Sequence, residues 1–437
     1  MVRWYETVSV FLLVVLVYLA APTTQMLDSK YVLVVSQSLI DNGSFKLDPY
    51  FGGLDDYSGV NIPHGMHVVN RHVYYWFPDG PAVLSVPYVA MMNLFGVSAM
   101  NADGSWANDA EARMQRGLAA ILTAGIVVFL YRCARYRLPI GWSLAIAAVA
   151  AFGTSLFSSA SRGLWSLTWG TFLLGAVVLM LVRQEQGRNS NPYLLATLLS
   201  WSYLVRPTNS INVILVSLFI LLCHRRLFVR YAATGVAWGA AFVCYSLYNF
   251  GTLLPTYYRL GLGKGDPFWY ALSGTLLSPS RGLLVFSPVF LLTFYLVIRY
   301  RKSLRDNRLC WLATAGFCMH LMLISFSPEW IGGHCYGPRL MTDSLPWLFL
   351  MSIFGIEALV AERRAMGAAG SARFQSGLTL FLVAVIFTAF SFFTHAWGAF
   401  VPAAHGWNVV PQYIGKNPAR VWDWRNPQFL FGRGNKE

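Results

Sequence analysis

The sequence predicts an all-α polytopic membrane protein with about eleven transmembrane helices. Three observations carry that reading. The chain has 437 residues, 56% of them hydrophobic and only 12% charged, where a soluble protein carries about 25% charge. Its mean hydropathy is +0.49, and apolar runs of spanning length recur from end to end. Its basic residues fall in short clusters between those runs.

The clusters give the topology. Arg132/Arg135/Arg137, Arg183/Arg188, Arg225/Arg226/Arg230, Arg299/Arg301/Lys302/Arg305/Arg308 and Arg363/Arg364/Arg373 hold 16 of the 33 basic residues. Their segments contain only Glu185, Asp306 and Glu362 as acids. Cytoplasmic loops are enriched in Lys and Arg, so all five clusters are placed inside. The net charge of +14 is thereby assigned to membrane orientation rather than to nucleic acid. Residues 24–113 carry nine carboxylates against four basic side chains, which suits the outer face.

The elements follow in order. Residues 6–23 form the first span; a cleavable signal peptide is the other reading, and the many later spans favour a retained helix. Residues 80–98 look like a further span, but crossing there would put the Arg132 cluster outside. Pro81 and Pro87 also oppose a regular helix, so this segment is expected to be juxtamembrane or re-entrant. The other spans are 114–132, 139–158, 164–183, 191–205, 209–224, 230–250, 283–299, 308–326, 344–361 and 376–397. The expected organisation is therefore a first helix (1–23), a long first periplasmic loop (24–113), a bundle (114–397) with outer loops at 251–282 and 327–343, and a periplasmic tail (398–437).

Chemistry is expected on the outer surface, where polar residues are hardest to explain by topology. Asp28 stands where the first apolar run meets polar sequence, and suits a general base acting on a membrane-delivered substrate. The stretch from Tyr31 to Ile40 has helical apolar spacing and ends at Asn42-Gly43, a turn signal. It reads as an amphipathic helix on the membrane with Asp28 at its amino end, where capping is the bland role. Arg339 closes the run Trp330-Ile-Gly-Gly-His-Cys-Tyr-Gly-Pro-Arg339 and could hold a phosphate through two hydrogen bonds. Arg281 in Ser278-Pro-Ser-Arg-Gly282 and Lys264 are further phosphate candidates. Arg162 and Arg206 are as well explained by capping or interhelical pairing. Tyr31, Asp55, Asp56, His64, Tyr75, Trp330, His334 and Tyr336 are candidates for sugar or acceptor contacts. His64-Gly-Met-His67 could ligate a metal, but two loop histidines are usually just solvated; neither metal nor cofactor is expected. Of six cysteines only Cys335 lies in an outer loop, which leaves it no outer-loop partner.

These residues carry a resemblance. Asp28 just past the first span, followed by Tyr31, Leu39 and Gly43-Ser-Phe, resembles the start of GT-C-type membrane glycosyltransferases. Tyr75-Trp-Phe-Pro-Asp-Gly-Pro81 is similar to the aromatic-Pro-x-Gly element before their juxtamembrane helix. Gly332-Gly-x-x-Tyr-Gly-Pro-Arg339 and Asn417-Pro-Ala-Arg-Val-Trp-Asp-Trp are similar to late motifs of bacterial members. Relatives include protein O-mannosyl, aminoarabinose and arabinofuranosyl transferases. Ser29 after Asp28 departs from the Asp-Glu pair of the protein O-mannosyltransferases. The resemblance implies a GT-C-like fold, a polyprenyl-phosphate-linked sugar donor, an acceptor glycan or protein, and Asp28 as the family's acidic residue. It places the protein in the inner membrane, amino terminus cytoplasmic, with chemistry on the periplasmic side.

Two rivals are weighed against it. A lipid-linked glycan transporter or flippase should show mid-membrane ionisable residues or inverted repeats, and the spans are nearly free of Asp, Glu and Lys. An O-antigen-type ligase or polymerase would differ chiefly in donor size. Either enzymatic reading requires positions 28 and 339 on one side of the membrane. Impermeant thiol labelling of single engineered cysteines is expected to reach both from outside; opposite sides would contradict the topology.

Overall fold

A computed structural model describes residues 3–51, 63–259, 265–366 and 374–432. The helices are α1 (Trp4–Ala20), α2 (Val32–Asn42), α3 (Asp48–Phe51), α4 (Gly80–Leu94), α5 (Asn108–Arg135), α6 (Ile140–Phe152) and α7 (Ser166–Glu185). They continue as α8 (Pro192–Val205), α9 (Ser210–Cys223), α10 (Arg225–Phe250), α11 (Thr256–Arg259), α12 (Phe268–Leu277) and α13 (Leu283–Phe286). The last are α14 (Val289–Arg299), α15 (Arg308–Phe326), α16 (Leu345–Met366) and α17 (Phe374–Phe400). Six helices are long and apolar enough to cross a membrane, and six shorter apolar helices accompany them. The chain is a multi-pass membrane protein.

Helix limits follow local chemistry. Asn191 caps α8 by accepting from the amides of Tyr193 and Leu194 at 2.9 and 3.3 Å, with Pro192 in the first turn. Asn307 caps α15 through the amide of Cys310 at 3.0 Å. The expected span 283–299 is divided into α13 and α14 at Ser287-Pro288, because proline cannot donate the helical hydrogen bond.

Two of the five basic clusters supply ion pairs between helices among the described residues. Arg135 on α5 meets Glu6 on α1, Arg137 meets Glu357 on α16, and Arg299 on α14 meets Glu362. His224 after α9 meets Glu185 on α7. The end of the bundle opposite these pairs gathers the last carbonyls of α1, the start of α7, the end of α8 and the start of α16. The side-chain pattern thus sorts charges to the two ends.

Three features depart from expectation. The fold is not wholly helical: Met66–Val69 (β1) and His72–Tyr75 (β2) form an antiparallel hairpin. Its turn residues, Asn70 and Arg71, both have positive φ, at 51° and 68°, as a two-residue hairpin turn requires. Secondly, α2 does not lie on the membrane surface. Val32 to Ser38 are all buried, because α4 and α5 cover the helix. Its polar residues are satisfied internally, Ser36 donating to the Ala82 carbonyl at 2.7 Å and Ser38 to that of Lys46 at 2.8 Å. Thirdly, α4 runs through Pro87 without breaking.

The segment between α1 and α2 positions the site. Arg162 is fully buried and donates to the carbonyls of Tyr18 and Ala21 at 2.7 and 2.9 Å. Arg116 donates to those of Leu19 and Ala21 at 3.1 and 2.9 Å. Two guanidiniums therefore close the carboxyl end of α1, where unpaired carbonyls and the helix dipole favour cations. The chain continues along the turn after the π-helical residues Leu156–Ala160, with the Gln25 amide donating to the Arg162 carbonyl at 2.8 Å. Approach there is so close that a Cβ on Gly163 would lie 2.0 Å from the Gln25 carbonyl oxygen. Gly163→Ala is expected to cost about 1–3 kcal/mol through overpacking. Thermal unfolding in detergent measures it; an unchanged midpoint would show that the segment yields.

Candidate functional site

Asp28 lies in the turn before α2, and it does not cap that helix. The capping is done by Glu111 of α5, whose carboxylate accepts from the amides of Tyr31 and Leu33 at 3.2 and 3.1 Å. Trp106 Nε1 and Gln115 Nε2 complete its coordination at 2.7 and 3.0 Å. Tyr31 takes a left-handed conformation at φ 71°, which turns the chain from Asp28 into α2. The Tyr75 hydroxyl donates to the Asp28 carbonyl, so the hairpin braces the same turn.

Freed from capping, Asp28 turns to the loop before α16. Its Oδ2 accepts from Arg339 Nη1 at 2.9 Å. Arg339 also donates from Nη2 to the Gly332 carbonyl at 2.9 Å, and its guanidinium carbon lies 4.1 Å from the centre of the Trp165 ring. Gly332 and Gly333 have φ of +73° and +61°, a region that side chains disfavour. In the structure they aim two carbonyls at two arginines, Gly332 at Arg339 and Gly333 at Arg281.

The two arginines differ in what they have left. Arg281 is buried, and Nε donates to the Ile331 carbonyl at 2.8 Å. Nη1 donates to the Ser280 carbonyl and Gln428 Oε1 at 2.8 and 2.7 Å, Nη2 to the Gly333 carbonyl and Asn408 Oδ1 at 3.1 and 2.7 Å. A guanidinium has five N–H donors, so Arg281 has none for a phosphate and its expected role is corrected to structural. Arg339 Nε, by contrast, is buried without a hydrogen-bond partner among the described residues. The Asp28 side chain is 30% exposed against 11% for Arg339, so the carboxylate forms the open side of the pair.

The other candidates divide. Arg162 and Arg206 are structural, the latter pairing with Asp343 and donating to Ser166 Oγ at 3.1 Å. Tyr336 is fully buried against Gly398, its hydroxyl on the Thr394 carbonyl at 2.7 Å. Trp330 is enclosed by Gly274 and Tyr270, with Nε1 on Asp266 at 2.7 Å. Tyr31 is buried with its ring against Phe51 and Trp106. These three aromatic rings are core, which corrects their expected contact with sugar. His64 is exposed beside Phe77. His334 is half-buried near the pair, and burial, then Arg281, hold its imidazole below the ordinary value. Asp55, Asp56 and Lys264 lie outside the described residues.

Sequence reasoning missed Trp165, Tyr257 and Asp79. Tyr257 stands within electrostatic reach of Arg206, Asp28 and Arg339. With Tyr75 it also lines a cavity of about 220 Å3 beside the pair, whose wall includes Asp79. The signal for Asp79 was available: it is the only charged residue between positions 73 and 102. Tyr245 donates to its carboxylate. Burial nonetheless pushes the Asp79 carboxyl up to about 7.

The fold has known counterparts. The chain is similar to the Archaeoglobus fulgidus oligosaccharyltransferase, in a structure tethered to an acceptor peptide containing the NVT sequon, with TM-score 0.55 and 11% identity. That match covers 96% of this chain and 59% of the other. The apo form of the same enzyme matches with TM-score 0.50 and 12% identity over 100% and 61% of the two chains. The chain thus spans about three fifths of the length of these structures. The likeness supports the GT-C-type fold. No protein-family profile matches the chain, and no curated protein does.

Asp79 gives the site a pH dependence. A carboxyl whose pKa rises on folding contributes its full stability below the ordinary carboxylate range and loses it as pH rises through about 7. Wild-type stability is therefore expected to fall relative to Asp79→Asn between roughly pH 5 and pH 8. Parallel thermal-unfolding series check this; a constant difference across that range would contradict it.

Proposed function

We propose that the protein is a membrane glycosyltransferase that moves one sugar from a polyprenyl-phosphate donor to an acceptor hydroxyl. The observation that carries this reading is the Asp28–Arg339 pair, with Asp28 on the open side and Arg339 Nε unspent. An acid beside a partly unsatisfied guanidinium supplies the two functions that displacement at a phosphate-linked anomeric carbon requires. The likeness in fold to an oligosaccharyltransferase agrees with it. About eleven spans, an inner-membrane location, a cytoplasmic amino terminus and a periplasmic site belong to the same proposal. They rest on the distribution of basic clusters.

The reaction follows from the residues. The donor phosphate takes up the remaining donors of Arg339, leaving the Asp28 carboxylate to the acceptor hydroxyl. The acceptor oxygen attacks the anomeric carbon, and its proton passes to Asp28. The bond from that carbon to the phosphate oxygen breaks, and its electron pair stays with the lipid phosphate. Arg339 neutralises the charge gathering there. Single displacement inverts the anomeric centre. The Trp165 ring, 4.1 Å from the guanidinium carbon, supports Arg339 from one side.

A second reading, transfer of a preassembled glycan, is favoured by the name of the structural neighbour. Donor size separates the two: monosaccharide-charged lipid suffices under the first reading and fails under the second. Asp28→Asn is expected to fold and insert normally while transfer falls roughly 10²–10⁴-fold, as when a general base is removed. Release of radiolabelled sugar from polyprenyl phosphate measures it. Near-normal turnover would refute the assignment.

A further inference from the structure

The cavity beside the Asp28–Arg339 pair has an unusual composition. Its twenty lining residues include eleven Phe, Tyr or Trp, a single carboxylate and no lysine or arginine. Its one histidine, His67, is held neutral, since burial pushes its pKa down to about 4. Asp79 therefore faces aromatic rings with no cation beside it among the described residues. Among the described residues its side-chain hydrogen bond comes from Tyr245, on Oδ2. The Tyr245 hydroxyl serves one carboxylate oxygen, and a carboxylate facing rings gains from further donors on the other. Such a group calls for hydrogen-bond donors from a ligand.

The volume limits that ligand. About 220 Å3 is below the roughly 300–1,000 Å3 of drug-sized pockets, and suits one small ring. The position narrows it further. Tyr75 lines the cavity and donates to the Asp28 backbone. Tyr257 lines it too and senses Asp28 and Arg339 electrostatically. A ring joined to a phosphate at Arg339 would have this cavity beside it, on the side of Tyr75 and Tyr257.

We propose that the cavity seats the ring of the transferred sugar, Asp79 accepting from ring hydroxyls while the indoles of Trp201 and Trp238 pack on its C–H faces. This rests on the glycosyltransferase reading and adds to it a specificity residue, Asp79, and a substrate class, a neutral monosaccharide. Tyr245 is a positioning residue: its hydroxyl fixes one carboxylate oxygen and leaves the other to the sugar. The aromatic wall offers few competing polar partners, so each hydrogen bond to Asp79 discriminates between epimers.

The test is saturation-transfer NMR on the purified full chain with free glucose, mannose, galactose, arabinose and N-acetylglucosamine, plus tetramethylammonium as a cationic probe. At least one neutral sugar is expected to bind wild type and Asp28→Asn alike. Asp79→Ala should weaken it about tenfold or more, and Tyr245→Phe less; if Asp79→Ala fails to fold, Asp79→Asn replaces it. Absence of sugar binding, equal binding in the Asp79 variants, or binding of tetramethylammonium alone would overturn the proposal. Failure here is distinct from failure of the catalytic reading. Transfer that is insensitive to Asp79 sinks the cavity assignment only. Sugar binding without any transfer by wild type sinks the reaction and leaves the cavity.

Discussion

The closure of the first helix by two arginines is the constraint from which the rest follows. Carbonyls at a helix end have no partners within the helix, and lipid offers none. Arg162 and Arg116 supply them for Tyr18, Leu19 and Ala21. Both come from other helices or their turns, so satisfying α1 also fixes where the next ten residues leave it. Gly163 lets that segment press onto the bundle. Asp28 arrives opposite Arg339 as a result.

Glu111 performs the complementary task at the start of α2. It takes the helix-end amides that a local Asp or Ser usually serves, and so releases Asp28 from that work. The same division of labour separates the two glycine-proximal arginines. Arg281 is consumed in holding the 331–337 loop to Asn408 and Gln428, while Arg339 keeps donors unspent. The Asp28–Arg339 pair thus sits beside three arginines, Arg162, Arg206 and Arg281, that are committed within the scaffold.

Much of this was legible in the chain. The expected spans other than 283–299, which is divided in two, each contain one α-helix, because long apolar runs and clustered arginines leave few alternatives. Asp28 and Arg339 were singled out separately, and the fold joins them across 311 positions. What was not legible depended on distant partners. Nothing near Arg281 announces that Asn408 and Gln428 will absorb its donors. The burial of α2 needs α4 across its apolar face, and a helical period cannot say whether protein or lipid covers that face. The hairpin had a local sign in Asn70, overlooked beside stronger helical patterns. Asp79 was read as part of a motif rather than as a lone charge in thirty residues.

The tail adds a consequence for biogenesis. Gln428 reaches Arg281, the Gly337 amide and the Cys335 carbonyl, and Asn408 reaches Arg281 and Cys335. Until those two amides have been synthesised and docked, the guanidinium and the loop carbonyls lack their lasting companions. That region therefore depends on water for those hydrogen bonds while α16 and α17 are already in place. Maturation of the reactive centre is in this sense gated by the order of synthesis.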